Sequence, residues 1–263
     1  MSKKIVEAKT VQTNAIKQCN EALKEILTDA NIEWNENGLK IITLDPSNTI
    51  LVHLKLEKEN FEYFHCAKRM FIGINVLNLF KLLRTLTNND ALTLFIEENN
   101  INQLGIRIEN GEKNTLTTYY LNLIEVDETS YQIPPAQFES IITMPSNEFN
   151  KICRDMSNLT DIIEIKSVGS QLIFSCKGDF ATQETIMGET DSGLTFVKTS
   201  GDESIIQGYS NLKHMVLFTK CTSLCGQVTL FLKNDYPLIV KYTVANLGEI
   251  KLVLSPSKPK SSY

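Results

Sequence analysis

The sequence predicts an α+β protein made of two similar domains, and three observations predict it. First, a unit of one short amphipathic helix followed by a strand pair recurs four times along the 263 residues, at a spacing of roughly 65 residues, the mark of one element reused. The two clearest copies are Leu27-Thr28-Asp29-Ala30-Asn31-Ile32-Glu33 with Gly38-Leu39-Lys40-Ile41-Ile42, and Leu159-Thr160-Asp161-Ile162-Ile163-Glu164-Ile165 with Gly169-Ser170-Gln171-Leu172-Ile173-Phe174. Looser copies run over 86–94 and 224–230. Second, the copies fall two on either side of 122–138, the only long stretch without a periodic pattern. Third, each helix carries basic residues on the face opposite its apolar stripe. A repeated basic surface points to a repeating polyanion, and duplex DNA is the obvious one.

Apolar periodicity places the elements in order. The first helix is expected near 14–28, with Ile16, Cys19, Leu23 and Ile26 inward and Thr13 or Asn14 as cap. The second is expected near 75–86, with Leu79, Leu82, Leu83 and Leu86 inward. Pro145-Ser146 is a cap signal for the third, which turns Phe149, Ile152, Cys153 and Met156 inward. The fourth follows Ser210 and buries Leu212, Met215, Val216 and Thr219. Short apolar or alternating runs between them read as strands: 39–44, 50–56, 92–96, 104–108, 172–175, 228–232 and 238–244. The run 115–123, Thr-Leu-Thr-Thr-Tyr-Tyr-Leu-Asn-Leu, lacks the charge or proline that protects a sheet edge. It reads either as an internal strand or as a subunit interface. The segment 122–138 is acidic and contains Pro134-Pro135, which has no place inside a sheet. The expected division is a first domain over 1–121, a linker over 122–139 and a second domain over 140–263.

Composition narrows the class. Hydrophobic residues make up 42% and charged residues 22% of the chain, as in ordinary folded proteins. No apolar run reaches the ~18 residues that span a bilayer, and Met-Ser-Lys-Lys-Ile-Val-Glu has no apolar core of a secretion signal. No membrane partner is expected. The six cysteines (Cys19, Cys66, Cys153, Cys176, Cys221, Cys225) form no CxxC pair and read as reduced thiols of an intracellular protein. With a net charge of −5, a DNA binder of this composition must segregate its charge.

Motifs for bond chemistry are missing. His53, His65 and His214 do not cluster with cysteine or carboxylate at metal-ligand spacing. The sequence has no phosphate-cradling glycine loop and no GxSxG, HExxH or DxDxDG pattern. No metal, cofactor or catalytic residue is expected, and the reading moves from enzyme to binding protein. The basic pairs carry more. Lys17 and Lys24, and Lys213 and Lys220, are seven apart; Lys81 and Arg84, and Lys151 and Arg154, are three apart. Each spacing puts its pair on one helix face. A single such pair reads most simply as a solvated face, with Glu21 or Asp155 as weak partners. Four pairs at equivalent places in a repeat favour phosphate contact. No aromatic interleaves them, so a duplex backbone suits them better than stacked single-stranded bases.

Here the residues match a family. Met144-Pro145-Ser146, Glu148-Phe149 and Lys151-Ile152-Cys153-Arg154-Asp155-Met156-Ser157 resemble the second-domain helix of the proliferating cell nuclear antigen family, the eukaryotic and viral DNA sliding clamps. Leu44-Asp45, Leu51-Val52, Phe61, Phe64, Cys66, Glu21-Ala22-Leu23-Lys24, Phe218-Thr219-Lys220, Asp235-Tyr236-Pro237-Leu238-Ile239-Val240, Tyr242, Leu254 and Pro256 fit in order, so the resemblance covers nearly the whole chain. It implies a ring-shaped homotrimer of two-domain subunits, with helices lining the pore around duplex DNA and sheets outside. It places Lys17, Lys24, Lys81, Arg84, Lys151, Arg154, Lys213 and Lys220 on the pore. It implies a pocket for short peptide motifs of the polymerase, the clamp loader and other partners, formed by Leu44, Asn48, Thr49, Leu51, Tyr131, Ile133, Pro134, Phe138, Pro237, Leu254, Ser255 and Pro256. Subunits would join through Thr117, Tyr119 and Leu121 of one chain and Phe180, Thr182 and Thr185 of the next. The implied location is the nucleus or the replication site of a large DNA virus.

The chain departs from the family in places. Gly169 stands where a modifier-accepting lysine is frequent, and Gln18 and Asn158 replace basic or ionisable pore residues. Leu252 and Val253 replace aromatics, and the end of the chain is basic rather than acidic. The rival readings are a subunit of a heterotrimeric checkpoint-type clamp, a monomeric DNA-binding polymerase accessory protein, or an enzyme with an unrecognised site.

Overall fold

A computed structural model describes residues 3–126, 131, 136–198 and 204–257. The chain divides into two compact units. The first holds residues 1–46, 52–131 and 243–250, and the second holds 47–51, 132–242 and 251–263.

In the first unit, β1 (Lys4–Thr10) leads into helix α1 (Thr13–Ile26), followed by β2 (Asp29–Asn35), β3 (Gly38–Leu44), β4 (Ile50–Glu57), β5 (Tyr63–Cys66) and β6 (Met70–Asn75). Helix α2 (Val76–Leu83) comes next, then β7 (Asp90–Glu97), β8 (Asn100–Asn110) and β9 (Thr115–Asn122). One sheet has the order β5-β1-β7-β8-β9, and a second run of strands has the order β4-β3-β2-β6. The helices cover the apolar faces of these sheets. α1 buries Ile16, Cys19, Leu23 and Ile26, and α2 buries Val76, Leu79 and Leu83, so each follows a helical period. The strands alternate instead: β4 reads buried at Ile50, Val52, Leu54 and Leu56 and half-buried between them.

The second unit repeats this plan. It contains β10 (Ser140–Pro145), α3 (Ser146–Ser157), β11 (Ile162–Val168), β12 (Gln171–Lys177), β13 (Thr182–Gly188), β14 (Thr195–Lys198), β15 (Ile205–Asn211), α4 (Leu212–Phe218), β16 (Gln227–Leu232) and β17 (Leu238–Val244). Its sheets run β13-β12-β11-β15 and β14-β10-β16-β17. Phe149, Cys153 and Met156 of α3 and Met215 and Phe218 of α4 are fully buried. The boundary between the units passes through β4, through the end of β17 and through the last strand, β18 (Gly248–Leu254).

Several sequence expectations need correction. α2 ends at Leu83, so Arg84 is its C-terminal cap rather than a residue of its face. α4 is only seven residues long, and Lys220 lies in the 3-10 turn Thr219–Ser223 that follows. Lys213 and Lys220 therefore do not share a continuous helix. Val216 is half-buried, and Phe218 takes the inward place assigned to it. Neither Thr13 nor Ser146 caps its helix. Thr13 Oγ1 donates to Thr87 O at 2.9 Å, and Ser146 Oγ donates to Cys225 O at 2.7 Å. Asn75 and Asn211 do act as caps, accepting from the backbone N–H of Asn78 and Lys213 at 3.0 and 2.9 Å.

Geometry constrains Gly169 and Gly73 in different ways. Gly169 has φ +53° in the two-residue turn that closes the β11–β12 hairpin, with Val168 opposite Gln171. That left-handed conformation suits glycine, which has no Cβ to clash. At Gly73 a Cβ would lie 2.0 Å from Ile124 O. The chain after β9 lies along β6 there, Ile124 N donating to Gly73 O at 3.0 Å and Asn31 Nδ2 to Val126 O at 3.1 Å. The start of the expected linker is thus anchored, while residues 127–130 and 132–135 lie outside the described residues.

Candidate nucleic-acid and partner interfaces

Each unit presents one packed helix pair with cations on its outer side. In the first unit α1 packs on α2. Lys81 and Arg84 are exposed; Lys17 and Lys24 are half-buried. Lys17 Nζ donates to Leu86 O at 3.1 Å and so satisfies a carbonyl beyond the end of α2. Lys24 pairs with Glu25 and lies over the Phe80 ring. Lys81 Nζ is 3.5 Å from Asn78 Oδ1. In the second unit α3 packs on α4 and its 3-10 turn. Lys151, Arg154, Lys213 and Lys220 are all exposed. Arg154 Nε is 3.6 Å from Asp155 and Lys213 Nζ 3.9 Å from Asp161, loose exposed pairs that hold the side chains weakly. The first unit's cations are therefore partly engaged in structure, and those of the second are solvated.

The two sheet edges singled out by sequence are open. Among the described residues β9 pairs only with β8, and β13 only with β12. Thr117 and Thr182 are exposed, and Tyr119, Leu121 and Thr185 are half-buried. Phe180, just before β13, is 79% exposed. Three further large apolar groups on these strands, Leu116, Tyr120 and Ile186, are exposed and were not singled out by sequence. Strand alternation could have flagged them, since each is one place out of register with a residue that was named.

The residues that the resemblance assigns to a peptide pocket belong in part to the first unit and in part to the second. Leu44 and Tyr131 belong to the first and are half-buried. In the second, Ser255 N donates to Thr49 O at 3.4 Å, joining two distant segments. Leu51 is half-buried, and Asn48 is exposed with φ +56°. Phe138 packs edge-on against Phe231 at 5.3 Å and Tyr236 at 5.7 Å, and Pro237 follows Tyr236. A hollow of about 20 Å³ lies beside Tyr236, lined also by Tyr209, Leu232 and Pro256. Pro256 and Ser255 are exposed. Leu254 does not fit the expectation: it is completely buried, as is Leu252, because alternation along β18 turns Val253 and Ser255 outward instead. Val253, next to Leu254 on β18, is half-buried. Ile133 and Pro134 lie outside the described residues.

The outer face of the β13-β12-β11-β15 sheet carries a polar network. Glu164 accepts from Tyr209 Oη at 2.6 Å, from Ser175 Oγ at 2.9 Å and from Lys166 Nζ at 2.8 Å. Partial burial pushes its carboxyl up, but these three donors outweigh that and hold it below the usual range. The same hydrogen bond raises Tyr209, and Lys166 is raised by its bond to Glu164. Burial pushes the Cys19 thiol up to about 12, and Cys153 is raised for the same reason. None of the six cysteines forms a disulfide among the described residues. The Cys19 and Cys153 thiols are therefore protonated and unreactive near neutrality.

With this geometry in view, comparison with known proteins is decisive. The profile of the proliferating cell nuclear antigen N-terminal domain matches residues 5–131, and that of the C-terminal domain matches 132–257. The chain belongs to the proliferating cell nuclear antigen family. It is also 38% identical over 252 residues, 94% of this chain and 95% of the relative, to the protein described as probable DNA polymerase sliding clamp 1 of Paramecium bursaria Chlorella virus 1. Membership makes the chain a DNA sliding clamp, a processivity factor of replication, and gives the two units their common plan.

Proposed function

We propose that three copies of this chain close into a ring around duplex DNA and hold a polymerase on its template. The observation that carries this reading is the pairing of like parts. Two helix pairs bear cations on their outer sides, and among the edge strands of the described residues β9 in the first unit and β13 in the second expose large apolar groups on or beside them. A closed cyclic assembly uses a heterologous contact, one edge of each chain against the other edge of the next. β9 with Leu116 and Tyr120, and β13 with Phe180 and Ile186, supply such a contact. The ring does no bond chemistry. Topology retains it, so Lys24, Lys81, Arg84, Lys151, Arg154, Lys213 and Lys220 need only weak, sequence-independent phosphate contact, with Lys17 adding charge.

The partners are the duplex, two further copies of the chain, and replication proteins that carry a short motif with one aliphatic and two aromatic anchors. Leu44, Leu51, Tyr131, Ile133, Pro134, Phe138, Pro237, Val253 and Pro256 receive that motif. The work is done at a replication site, in a nucleus or in a cell infected by a large DNA virus. The test is native mass at micromolar concentration together with primer extension on a long single-primed template. A mass near three times 29.7 kDa and longer products are expected. A monomer that leaves product length unchanged would reject the ring and favour a monomeric accessory protein.

A further inference from the structure

Alternation along β6 puts Phe71, Gly73 and Asn75 on one face and Ile72 and Ile74 on the other. Ile72 and Ile74 belong to the core and Phe71 is exposed, yet Gly73 is buried although it stands on the outer face. The chain that leaves β9 covers it. Leu123 N donates to Asn102 O at 2.9 Å, and Ile124 N to Gly73 O at 3.0 Å. Val126 O then accepts at 3.1 Å from Nδ2 of Asn31, which stands opposite Gly73 on the neighbouring strand β2. The chain therefore crosses the face of β6 at Gly73 and reaches β2.

A residue without a side chain makes room for this crossing. A Cβ at position 73 would stand 2.0 Å from Ile124 O and 3.1 Å from Cγ2 of Val126. One of the two segments would have to move. β6 is paired with β2 from Asp29 opposite Asn75 to Trp34 opposite Met70, and it carries the two core isoleucines. Ile124 and Glu125 are exposed, so the crossing segment has little buried surface to hold it in place. The crossing segment is the one that yields.

We propose that Gly73 and Asn31 form an anchor that sets the direction in which the segment bearing Tyr131 leaves β6, and that Gly73 is thereby a positioning residue for partner-peptide binding, a role that rests on the peptide pocket proposed for this chain. With the anchor in place, the protein meets a peptide with this part of the segment already ordered. Without it, binding has to order the segment again, and fixing the backbone of one residue costs about fivefold in an equilibrium constant.

The test compares wild type, Gly73→Ala and Asn31→Asp, the last keeping the size of the side chain while replacing its donor with an acceptor. Amide hydrogen exchange reads the anchor at Ile124. Fluorescence anisotropy reads the affinity for a labelled synthetic peptide that carries one isoleucine and two adjacent phenylalanines. In Gly73→Ala the Ile124 amide should lose its protection and the peptide should bind about fivefold more weakly, while native mass and the salt dependence of DNA binding stay as in wild type. Asn31→Asp should weaken the peptide by about twofold or more, through loss of one hydrogen bond. A merely structural glycine would lower the melting temperature and leave the affinity of the folded chain unchanged, and that result overturns the positioning role. An Ile124 amide that exchanges in wild type as fast as one in an unfolded chain overturns the anchor itself. If Gly73→Ala fails to fold, Asn31→Asp, at an outward position of β2, decides by the same two readings. A wild type that binds no peptide while Ile124 is protected removes the pocket and the positioning role together; equal binding by all three proteins removes the positioning role alone.

Discussion

Lys24 Nζ lies 4.8 Å from the centre of the Phe80 ring, so a cation of α1 is seated on an aromatic side chain of α2. Only 18% of the Lys24 side chain is exposed, against 66% for Arg154 and 78% for Lys213. Equivalent places in a repeat thus carry cations of different standing. One belongs partly to the fold, and the others face solvent.

That difference is measurable. Lys24→Ala should destabilise the first unit by roughly 0.5–1 kcal/mol, because it removes the cation–π interaction. Lys151→Ala, which removes an exposed side chain, should stay within about 0.5 kcal/mol. Denaturant unfolding of both variants checks this, and equal effects would remove the distinction.

Lys81, Lys151, Arg154 and Lys220 are exposed, so replacing all four by alanine should leave stability nearly unchanged. DNA binding should weaken without any change in sequence preference. The slope of log affinity against log salt should fall by about 0.9 for each phosphate that is no longer neutralised. Fluorescence anisotropy across salt concentrations reads the slope, and primer extension reads the consequence. An unchanged slope would place these residues away from DNA.

The open edges make a different prediction. Proline at Leu121 removes a backbone donor from β9 and should shift sedimentation from trimer towards monomer. Tyr120→Ser and Ile186→Ser, at exposed apolar positions on the two edges, should do the same more mildly and without lowering the melting temperature of the monomer. Variants that remain fully trimeric at nanomolar concentration would count against these edges as the interface.

Stability should fall in acid, and two carboxylates account for part of it. Asp90 is pushed up by desolvation, but the backbone N–H of Thr87 and the Asn110 amide, at 2.7 and 2.6 Å, more than reverse this and hold it low. Glu164 is held low by its donors on β11, β12 and β15. In both cases the folded value lies below the unfolded one, so the unfolded chain takes up protons first as pH falls. Their stabilisation is complete above the ordinary carboxylate range, about pH 4, and is lost as pH drops through the folded values. Glu164→Gln should therefore flatten the dependence of unfolding free energy on pH between about 5 and 3. An identical slope in the variant would show that the network does not set it.

Much of the fold could be read from the chain because period and burial agree. The runs at 50–56 and 238–244 became β4 and β17, the first strictly alternating in burial and the second buried at Leu238, Ile239 and Val240 before alternation sets in. What escaped was decided by contacts distant in sequence. Thr13 and Ser146 read as caps, yet their hydroxyls bond carbonyls at Thr87 and Cys225, which no local window reveals. The seven-residue spacing of Lys213 and Lys220 implied one helix, but the chain tightens to a 3-10 turn at Thr219, where Thr219 Oγ1 bonds back to Val216 O at 2.8 Å. The candidate site was legible in residue type and less so in side-chain direction. Leu254 resembles a pocket residue by its place in the chain, and the pleat of β18 turns it inward.

That pleat gives the sharpest test of the peptide pocket. Val253 faces outward, while Leu254 is completely buried. If the pocket lies on the outward face, with Pro256, Pro237 and Leu51, then a charge at the two neighbouring positions should act in opposite ways. Val253→Asp should leave the melting temperature almost unchanged and weaken a peptide that carries one aliphatic and two aromatic anchors, since those anchors account for most of such binding. The wild-type affinity should be about micromolar, or roughly −8 kcal/mol, and the loss more than about 1 kcal/mol. Leu254→Asp buries an unpaired charge in the core and should unfold the second unit before peptide binding can be measured. Ile133→Ser, in the connecting segment, should behave like Val253→Asp and leave the trimer intact. Calorimetry and thermal melting on the three variants separate the cases. Equal peptide affinity in wild type and both Val253→Asp and Ile133→Ser would remove the pocket from this face of the molecule and leave the ring untouched.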